Sequence, residues 1–381
     1  MIPCIQLRTN KVMNMLKQTD VLIIGGGFAG VATAQKLAKQ GMNITLVDRK
    51  DYFEVTFAVL RNVTAPKAQG NRSRKLYREF VEGFVQGSIE SMNDKEAKLA
   101  NGDVIRFKQA VIASGSRYPS LPLAKSNSQL DYAGRNQEML AEHASLAAAK
   151  SVLVIGGGAV GVEFAGEIAS AFPDKAITLS HSGDVLLGGM KPKAQQKALE
   201  QLTAKGVIVK FNRRYALEKG QGEEGDTNLY RCSKNQESIQ ADKVYTCVGM
   251  VPNTEFLQAE MANSLDAKGL IQVDEFMHVK GYENLYALGD CAALDNNKHG
   301  YLASVQGGML ADAIMKKAKG KKVKAYKTPP LAIVTPTGTD TGVAQMPFGV
   351  FTAKFLVNLK QKDLGISNIY KMLGTIPNTS I

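Results

Sequence analysis

The chain has 381 residues, with 47 lysines and arginines against 35 aspartates and glutamates, and a formal net charge of +12. This length predicts two or three domains, and a content of 44% hydrophobic and 22% charged residues excludes wholesale disorder. The four cysteines have no paired spacing, which argues against a disulfide scaffold, a zinc cluster or a CxxC oxidoreductase, so no metal site is expected. The longest apolar run, residues 21–32, is too short for a membrane-spanning helix.

A basic leader is predicted over residues 1–18. The first 19 residues contain three basic residues and no acidic residue. They lack the continuous apolar stretch of a secretory signal and the Met-Gly start that myristoylation requires. Translation from Met13 or Met15 is compatible with this interpretation, and a short transit peptide is the alternative.

A repeated pattern organises the rest of the chain. Residues 21–34 read VLIIGGGFAGVATA and residues 152–165 read VLVIGGGAVGVEFA, in one constant register. Each copy is a run of β-forming residues, a glycine loop and a helix-forming stretch, and a second strand-like segment follows. One GxGxxG loop is weak evidence, but two loops in this setting indicate paired dinucleotide-binding units.

The three glycines of each loop have separate tasks. The first allows a tight turn from strand to helix, the second lets the backbone approach a pyrophosphate, and the third lets the helix lie against the sheet. Backbone N–H groups and the positive end of the helix then attract the anion. These glycines are Gly25, Gly27 and Gly30 in the first loop, and Gly156, Gly158 and Gly161 in the second loop.

The two units differ at the end of their second strand. In the first unit Asp48 stands about twenty residues after the glycines, where a carboxylate accepts hydrogen bonds from a ribose 2′-hydroxyl. In the second unit His181 takes this place, so the repulsion that excludes a 2′-phosphate is missing. No arginine adjoins His181 in the sequence to hold such a phosphate. We therefore expect both NADH and NADPH to be accepted.

Further motifs at the ends of strand-like segments complete a recognisable series. In chain order the motifs read GGGFAG, VIASGS, GGGAVGVEFAGE, VGMVPN and YALGDCA. This series resembles the two-dinucleotide-binding-domain flavoproteins, which include glutathione reductase, type II NADH dehydrogenase and apoptosis-inducing factor. Within that family, DYFEVTFAVLR and the tail resemble the branch of NAD(P)H:quinone reductases that contains apoptosis-inducing factor and ferroptosis suppressor protein. The resemblance covers roughly residues 19–325.

The resemblance implies an α/β fold with two Rossmann-like domains and a small C-terminal region. Residues 19–148 and 268–325 would form an FAD-binding domain, with an NAD(P)-binding domain inserted at residues 149–267. Residues 326–381 would form a C-terminal cap.

Roles for individual residues follow from the same resemblance. The first loop and Asp48 would bind the adenosine and pyrophosphate of FAD, while the second loop would bind NADH or NADPH. Other residues expected at the cofactors are Ser114 and Gly115 beside the flavin nucleotide, Asp290 at its ribityl or pyrophosphate portion, and Gly249 over the nicotinamide. One departure matters: residues 51–64 lack the CxxxxC of the disulfide reductases, so dithiol chemistry is not expected.

Hydride transfer between cofactors needs few reactive side chains. Glu163 is expected on the first turn of its helix, beside the nicotinamide and the flavin edge, although an ordinary first-turn acid is the alternative. Arg61 is a candidate cation near the flavin or a surface arginine. Gln306, with Tyr301, is a candidate contact for the electron acceptor, unless both only cap or pack a helix. That helix is expected to begin near Gly300 and to direct its N–H groups at the flavin.

The tail suggests the class of acceptor. Residues 348–373 place Phe351, Phe355 and Leu359 at helical spacing among lysines, and seven more lysines lie between Lys316 and Lys327. This pattern favours either a core-facing terminal helix or peripheral contact with an anionic membrane surface, where a quinone is reached.

The sequence therefore predicts an FAD-dependent NAD(P)H:quinone oxidoreductase. It would act as a monomer or homodimer in the cytoplasm, including the surface of a membrane. The alternatives are a reductase of a small iron–sulfur protein and a nucleic-acid-binding flavoprotein. The second alternative is disfavoured because no nucleic-acid-binding motif accompanies the positive charge.

Overall fold

The computed structural model describes residues 16–66, 70–217, 228–296, 298–330, 332–352 and 363–378. Within these ranges the α-helices are α1 (Phe28–Ala38), α2 (Val59–Thr64), α3 (Tyr132–Ala148), α4 (Ala159–Ala171), α5 (Pro192–Ala204), α6 (Gly300–Ala318) and α7 (Ile366–Met372). The strands are β1 (Leu16–Ile24), β2 (Ile44–Asp48), β3 (Tyr52–Glu54), β4 (Arg74–Leu76), β5 (Phe84–Gln86), β6 (Ile89–Met92), β7 (Glu96–Leu99), β8 (Val104–Ile112), β9 (Ser116–Arg117), β10 (Ser151–Ile155), β11 (Ala176–Ser180), β12 (Ile208–Lys210), β13 (Tyr215–Leu217), β14 (Asn228–Cys232), β15 (Ser238–Ala241), β16 (Lys243–Thr246), β17 (Val251–Pro252), β18 (Leu285–Ala287), β19 (Ile333–Pro336), β20 (Gly342–Met346) and β21 (Gly349–Phe351).

The first unit is built on a parallel sheet in the order β5-β2-β1-β8, with β18 beside the second half of β8. The first half of β8 also pairs with the antiparallel strand β7, which in turn pairs with β6. The apolar run Val21–Ile24 is buried because helices and loops cover both faces of such a sheet. β1 begins at Leu16, and residues 16–18, which were expected at the end of the leader, pair with residues 104–106 of β8. Residues 1–15, with Met13 and Met15, lie outside the described residues.

The second unit repeats this construction. Its parallel sheet has the order β12-β11-β10-β16, and a small antiparallel sheet, β13-β14-β15, lies next to it. α4 follows β10 directly, as α1 follows β1 in the first unit. The two strand–loop–helix repeats in the sequence therefore correspond to two Rossmann-like units, and the predicted α/β class is confirmed.

The C-terminal region contacts both units. The sheet β19-β20-β21 packs on α4 and α5, and Val343 lies in the core of the second unit. α7 packs on the first unit through buried Ile366, Ile369 and Tyr370. A single amphipathic helix was expected over residues 348–373, but Phe351 ends the strand β21 and pairs with Ala344 of β20. Phe355, Leu359 and the lysines beside them lie outside the described residues.

Packing does not follow the expected boundaries closely. Leu257 and Met261 pack in the core of the first unit, although residues 149–267 were expected to form the second. Met139 and Leu146 of α3 belong to an apolar cluster that spans both units, since it contains Val59 and Val63 of α2 as well as residues of α4. None of the helices in the described ranges combines the length and the apolar character needed to cross a bilayer.

Candidate functional site: a cavity between two glycine loops

A cavity of about 1220 Å³ lies between the two units. This volume exceeds the ~300–1,000 Å³ typical of a site for one small molecule. Its walls include the first loop, the start of α4, the start of α6 and the C-terminal region, together with several connecting segments of the first unit. Of the residues predicted from the sequence, the cavity is lined by Gly25, Gly27, Asp48, Ser114, Gly115, Glu163 and Asp290.

The first loop has the geometry that its glycines predict. Gly25 has a φ of +100°, and a Cβ there would lie 2.3 Å from the oxygen of Ala113. A Cβ at Gly30 would lie 1.8 Å from the oxygen of Gly25, so only glycine lets α1 pack this closely. At Gly27, by contrast, a Cβ would meet no atom within 4 Å, and no side chain caps α1 there. This open helix end fits a pyrophosphate.

Asp48 is held at the edge of the first loop. Its Oδ2 accepts a hydrogen bond from the N–H of Gly26 at 2.6 Å, and its Oδ1 accepts one from the N–H of Lys50 at 2.8 Å. Each carboxylate oxygen keeps a second lone pair. The carboxylate can therefore also accept a ribose hydroxyl from the cavity, and these residues fit the adenosine end of FAD.

The second loop repeats the first in detail. Gly156 has a φ of +121°, and a Cβ at Gly161 would lie 1.9 Å from the oxygen of Gly156. Gly158 precedes α4 with no side-chain cap, and a Cβ there would meet no atom within 4 Å. These three glycines lie outside the cavity lining, but the next residues, Ala159 and Val160, belong to it. The second loop therefore opens beside the cavity.

His181 has the same place in the second unit that Asp48 has in the first. Its Nδ1 accepts a hydrogen bond from the N–H of Gly157 at 3.1 Å. In the neutral ring this acceptor role leaves the hydrogen on Nε2. Sequence reasoning missed a basic residue next to it in the fold. The backbone N–H of Arg213 donates a hydrogen bond to the backbone oxygen of His181 at 2.9 Å. The Arg213 guanidinium and Lys210 both pair with Glu237.

Replacing His181 by aspartate is expected to select against NADPH. If the second loop holds the nucleotide, a carboxylate here would repel a 2′-phosphate but accept a 2′-hydroxyl. We expect kcat/KM for NADPH to fall at least about tenfold relative to NADH. Steady-state rates with both nucleotides measure this ratio, and His181→Asn is the uncharged control. An equal fall for both nucleotides would contradict the placement.

Asp290 is an ionised acceptor on the cavity wall. Its Oδ2 accepts hydrogen bonds from Ser116 Oγ and from Lys125 Nζ, each at 2.7 Å. Burial by itself would raise the pKa of Asp290, but the charge of Lys125 and these hydrogen bonds outweigh it, so the pKa lies below its usual range. The carboxylate is thus present to accept hydroxyl groups of a bound ligand.

α6 begins at Gly300, as predicted, and its first turn lines the cavity. No side chain caps this end, so its N–H groups and the helix dipole favour negative charge in the cavity. Gln306 lies elsewhere: its amide oxygen accepts from Gly289 N–H at 2.9 Å, and its amide nitrogen donates to Asp295 at 2.7 Å. It is buried and supports the turn before Asp290, whereas Tyr301 lines the cavity and is 60% exposed.

Two other expectations need correction. α4 begins at Ala159, so Glu163 lies on its second turn and not on its first, although it does line the cavity. Arg61 is neither at the surface nor on the cavity wall. It is 6% exposed, and its Nε and Nη2 donate to the carboxylate of Glu167 at 3.0 and 2.6 Å. Arg61 and Glu167 are 106 residues apart in the chain, which explains why the sequence could not indicate the pair.

The sulfur chemistry of the site is limited. Cys291 is fully buried, its Sγ lies 3.4 Å from the oxygen of Leu288, and burial raises its pKa. Burial also raises the pKa of Cys247 to about 12. No cysteine lines the cavity in the part of the chain that the structure describes. Gly249 has a φ of +84° but also lies outside the lining.

Comparison with known proteins shows which family the chain resembles. Residues 19–317 match the family model for pyridine nucleotide-disulphide oxidoreductases. Ferroptosis suppressor protein 1 of Xenopus tropicalis is 30% identical over 365 residues, which cover 94% of this chain and 96% of that protein. Apoptosis-inducing factor homolog B of Dictyostelium discoideum is 29% identical, over 93% of this chain and 96% of that protein.

The solved structure of an NAD-dependent persulfide reductase from A. fulgidus has the same fold. It superimposes with a TM-score of 0.68 at 20% identity, over 85% of this chain and 63% of the reductase. The chain therefore belongs to the pyridine nucleotide-disulphide oxidoreductase family, as an NAD(P)H-dependent oxidoreductase that uses FAD.

Proposed function

We propose that this oxidoreductase passes electrons from NAD(P)H to a quinone. The observation that carries the proposal is the contrast between two groups of residues that line the cavity. One group comprises the first loop, Asp48 and Asp290, whereas the residues that the C-terminal region contributes are mostly apolar. The apolar wall that they form includes Pro329, Pro330, Ile333, Val334, Met346, Leu364 and Met372.

An apolar wall suits a flat apolar acceptor better than a charged one. Phe57 extends this wall from the first unit, and Tyr301 lies at the exposed start of α6. A quinone would contact such residues with its ring, while its carbonyl oxygens would accept hydrogen bonds from N–H groups at the start of α6. The resemblance to the quinone-reductase branch points to the same acceptor.

In this proposal the protein's own residues would bind FAD and NAD(P)H and orient them toward each other. The first loop, Asp48 and Asp290 would hold FAD, and the second loop would hold NAD(P)H so that its nicotinamide lies near Glu163. FAD, when bound, accepts a hydride and delivers electrons to an acceptor. The N-terminus of α6 would stabilise negative charge that develops in the cavity. With no cysteine on the described walls, a disulfide substrate would find no thiol partner.

Two exposed apolar side chains follow members of the apolar wall within a few residues of chain: Phe348 after Met346, and Ile376 after Met372. Phe348 is 82% exposed and Ile376 is 74% exposed. The lysines of the Lys316–Lys327 segment lie at and beyond the C-terminal end of α6, and all of them are exposed. We propose peripheral contact with an anionic bilayer, from which a lipid quinone would enter the cavity.

Rapid mixing separates the acceptors. The FAD-loaded protein is reduced with NADH in the absence of oxygen, and then mixed with a soluble benzoquinone, a ferredoxin or oxidised glutathione. We expect reoxidation to be fastest with the quinone, and faster still for a lipid quinone in anionic than in zwitterionic vesicles. Preferential reoxidation by ferredoxin would support the iron–sulfur alternative and contradict our proposal. Equal rates in both kinds of vesicle would contradict the membrane contact.

A further inference from the structure

A buried ion pair joins the two units behind the cavity. Arg61 lies on α2 of the first unit, and Glu167 lies on α4 of the second. Two parallel N–H groups of the guanidinium contact the two carboxylate oxygens, at 3.0 and 2.6 Å. The side chains are only 6% and 4% exposed. The pair is thus removed from water and has bidentate geometry.

Both helices that carry this pair also contribute to one buried apolar cluster. Val59 and Val63 of α2 are fully buried, and they share one cluster with Phe164 and Ile168 of α4. Two charges in such surroundings lose their hydration, and well-packed apolar side chains often give equal or greater stability. The pair is therefore a poor device for stability alone. The planar fork of arginine instead fixes distance and orientation together.

Both helices continue into the walls of the cavity. On α4, Glu163 lines the cavity, and Glu167 lies four residues later on the same face. On α2, Leu60 lines the cavity immediately before Arg61. On another side of α4, a Cβ at Gly166 would lie 2.2 Å from the backbone of Thr337, so this helix has little room to rotate or slide.

We propose that Arg61 and Glu167 are positioning residues for hydride transfer. They fix the rotation of α4 about its own axis and its position relative to the first unit. Glu163 and a nucleotide on the second loop would then face the flavin. This inference rests on the proposed assignment of the second loop to NAD(P)H. The pair acts through α4 and need not touch either cofactor.

Conservative and paired substitutions test this role. Arg61→Lys keeps the charge but loses the fork, and a small misplacement of reacting groups is expected to slow flavin reduction by saturating NADH roughly tenfold. Flavin content and reoxidation by a quinone are expected to stay unchanged. The double variant Arg61→Met/Glu167→Met is expected to unfold at the same temperature as the parent without recovering the reduction rate. Lys36→Met, which removes the exposed pair with Asp312, is the control.

A binding measurement complements the rates. Calorimetric affinity for NAD⁺ is expected to be unchanged in Arg61→Lys, because the second loop is intact. The change in flavin absorbance on NAD⁺ binding is expected to diminish, because the rings lie differently. Parental reduction rates in Arg61→Lys, or in the double variant, would overturn the positioning role. A parent protein that NADH does not reduce would instead overturn the assignment of the second loop.

Discussion

Gly27→Ala is expected to give a folded protein that no longer retains FAD. Gly27 has a φ of −72° and a ψ of −170°, an extended conformation that alanine adopts freely, and its Cβ would meet no protein atom within 4 Å. The methyl group would, however, project where the backbone must approach a pyrophosphate. A forced methyl group in a close contact costs about 1–3 kcal/mol, which corresponds to roughly 5–150-fold weaker binding of FAD.

The ratio of flavin to protein after purification, and a titration of the apoprotein with FAD, measure this effect. Unfolding of the apoprotein by urea is expected to match the parent within about 0.5 kcal/mol, as for an unstrained substitution. Gly308→Ala is the matched control, because a Cβ there also meets no atom within 4 Å but Gly308 does not line the cavity. Parental affinity for FAD in Gly27→Ala would refute the proposed phosphate position.

Gly158→Ala is expected to leave FAD bound and to weaken the nucleotide. Gly158 repeats the geometry of Gly27, with a φ of −76°, a ψ of −176° and no atom within 4 Å of an added Cβ. The same steric argument gives roughly 5–150-fold weaker binding of NADH and NADPH. Since the methyl group touches only the second loop, the yellow colour of the purified protein is expected to persist.

Two titrations separate the loops. Calorimetry with NAD⁺ reports on the second loop, and flavin content reports on the first, with Gly308→Ala again as the control. The pair of variants is expected to show complementary losses: Gly27→Ala loses flavin, and Gly158→Ala loses nucleotide affinity. If Gly158→Ala also released FAD, or bound NAD⁺ normally, the assignment of one ligand to each loop would be wrong.

Features that depend on neighbouring residues were predictable. The close contact between Gly30 and Gly25, and its copy between Gly161 and Gly156, arise within six residues of chain. The pattern of glycines therefore carries the geometry directly, and it predicted both loops and the α/β fold around them. The start of α6 at Gly300 was predictable for the same reason.

Features that depend on residues distant in the sequence were not predictable. Gln306 is polar and was a candidate contact for the electron acceptor, yet its side chain is buried and forms hydrogen bonds with Gly289 and Asp295. Phe351 fits a helical pattern, but β20 offers a hydrogen-bonding edge and its segment forms a strand. In both cases the residues that decide the structure lie elsewhere in the chain, beyond at least one turn. The residues next to Gln306 and Phe351 in the sequence do not reveal them.

The sequence by itself determined the class of fold, the two loops and the side chains at the ends of their second strands, because steric limits on glycine and the polarity of strand ends act over short distances. Only the tertiary structure decided which of the charged residues meet. It placed Arg61 against Glu167 across two units and paired Arg213 and Lys210 with Glu237 beside His181. Such contacts depend on how helices and sheets pack, since a buried charge is stable only where packing supplies its partner.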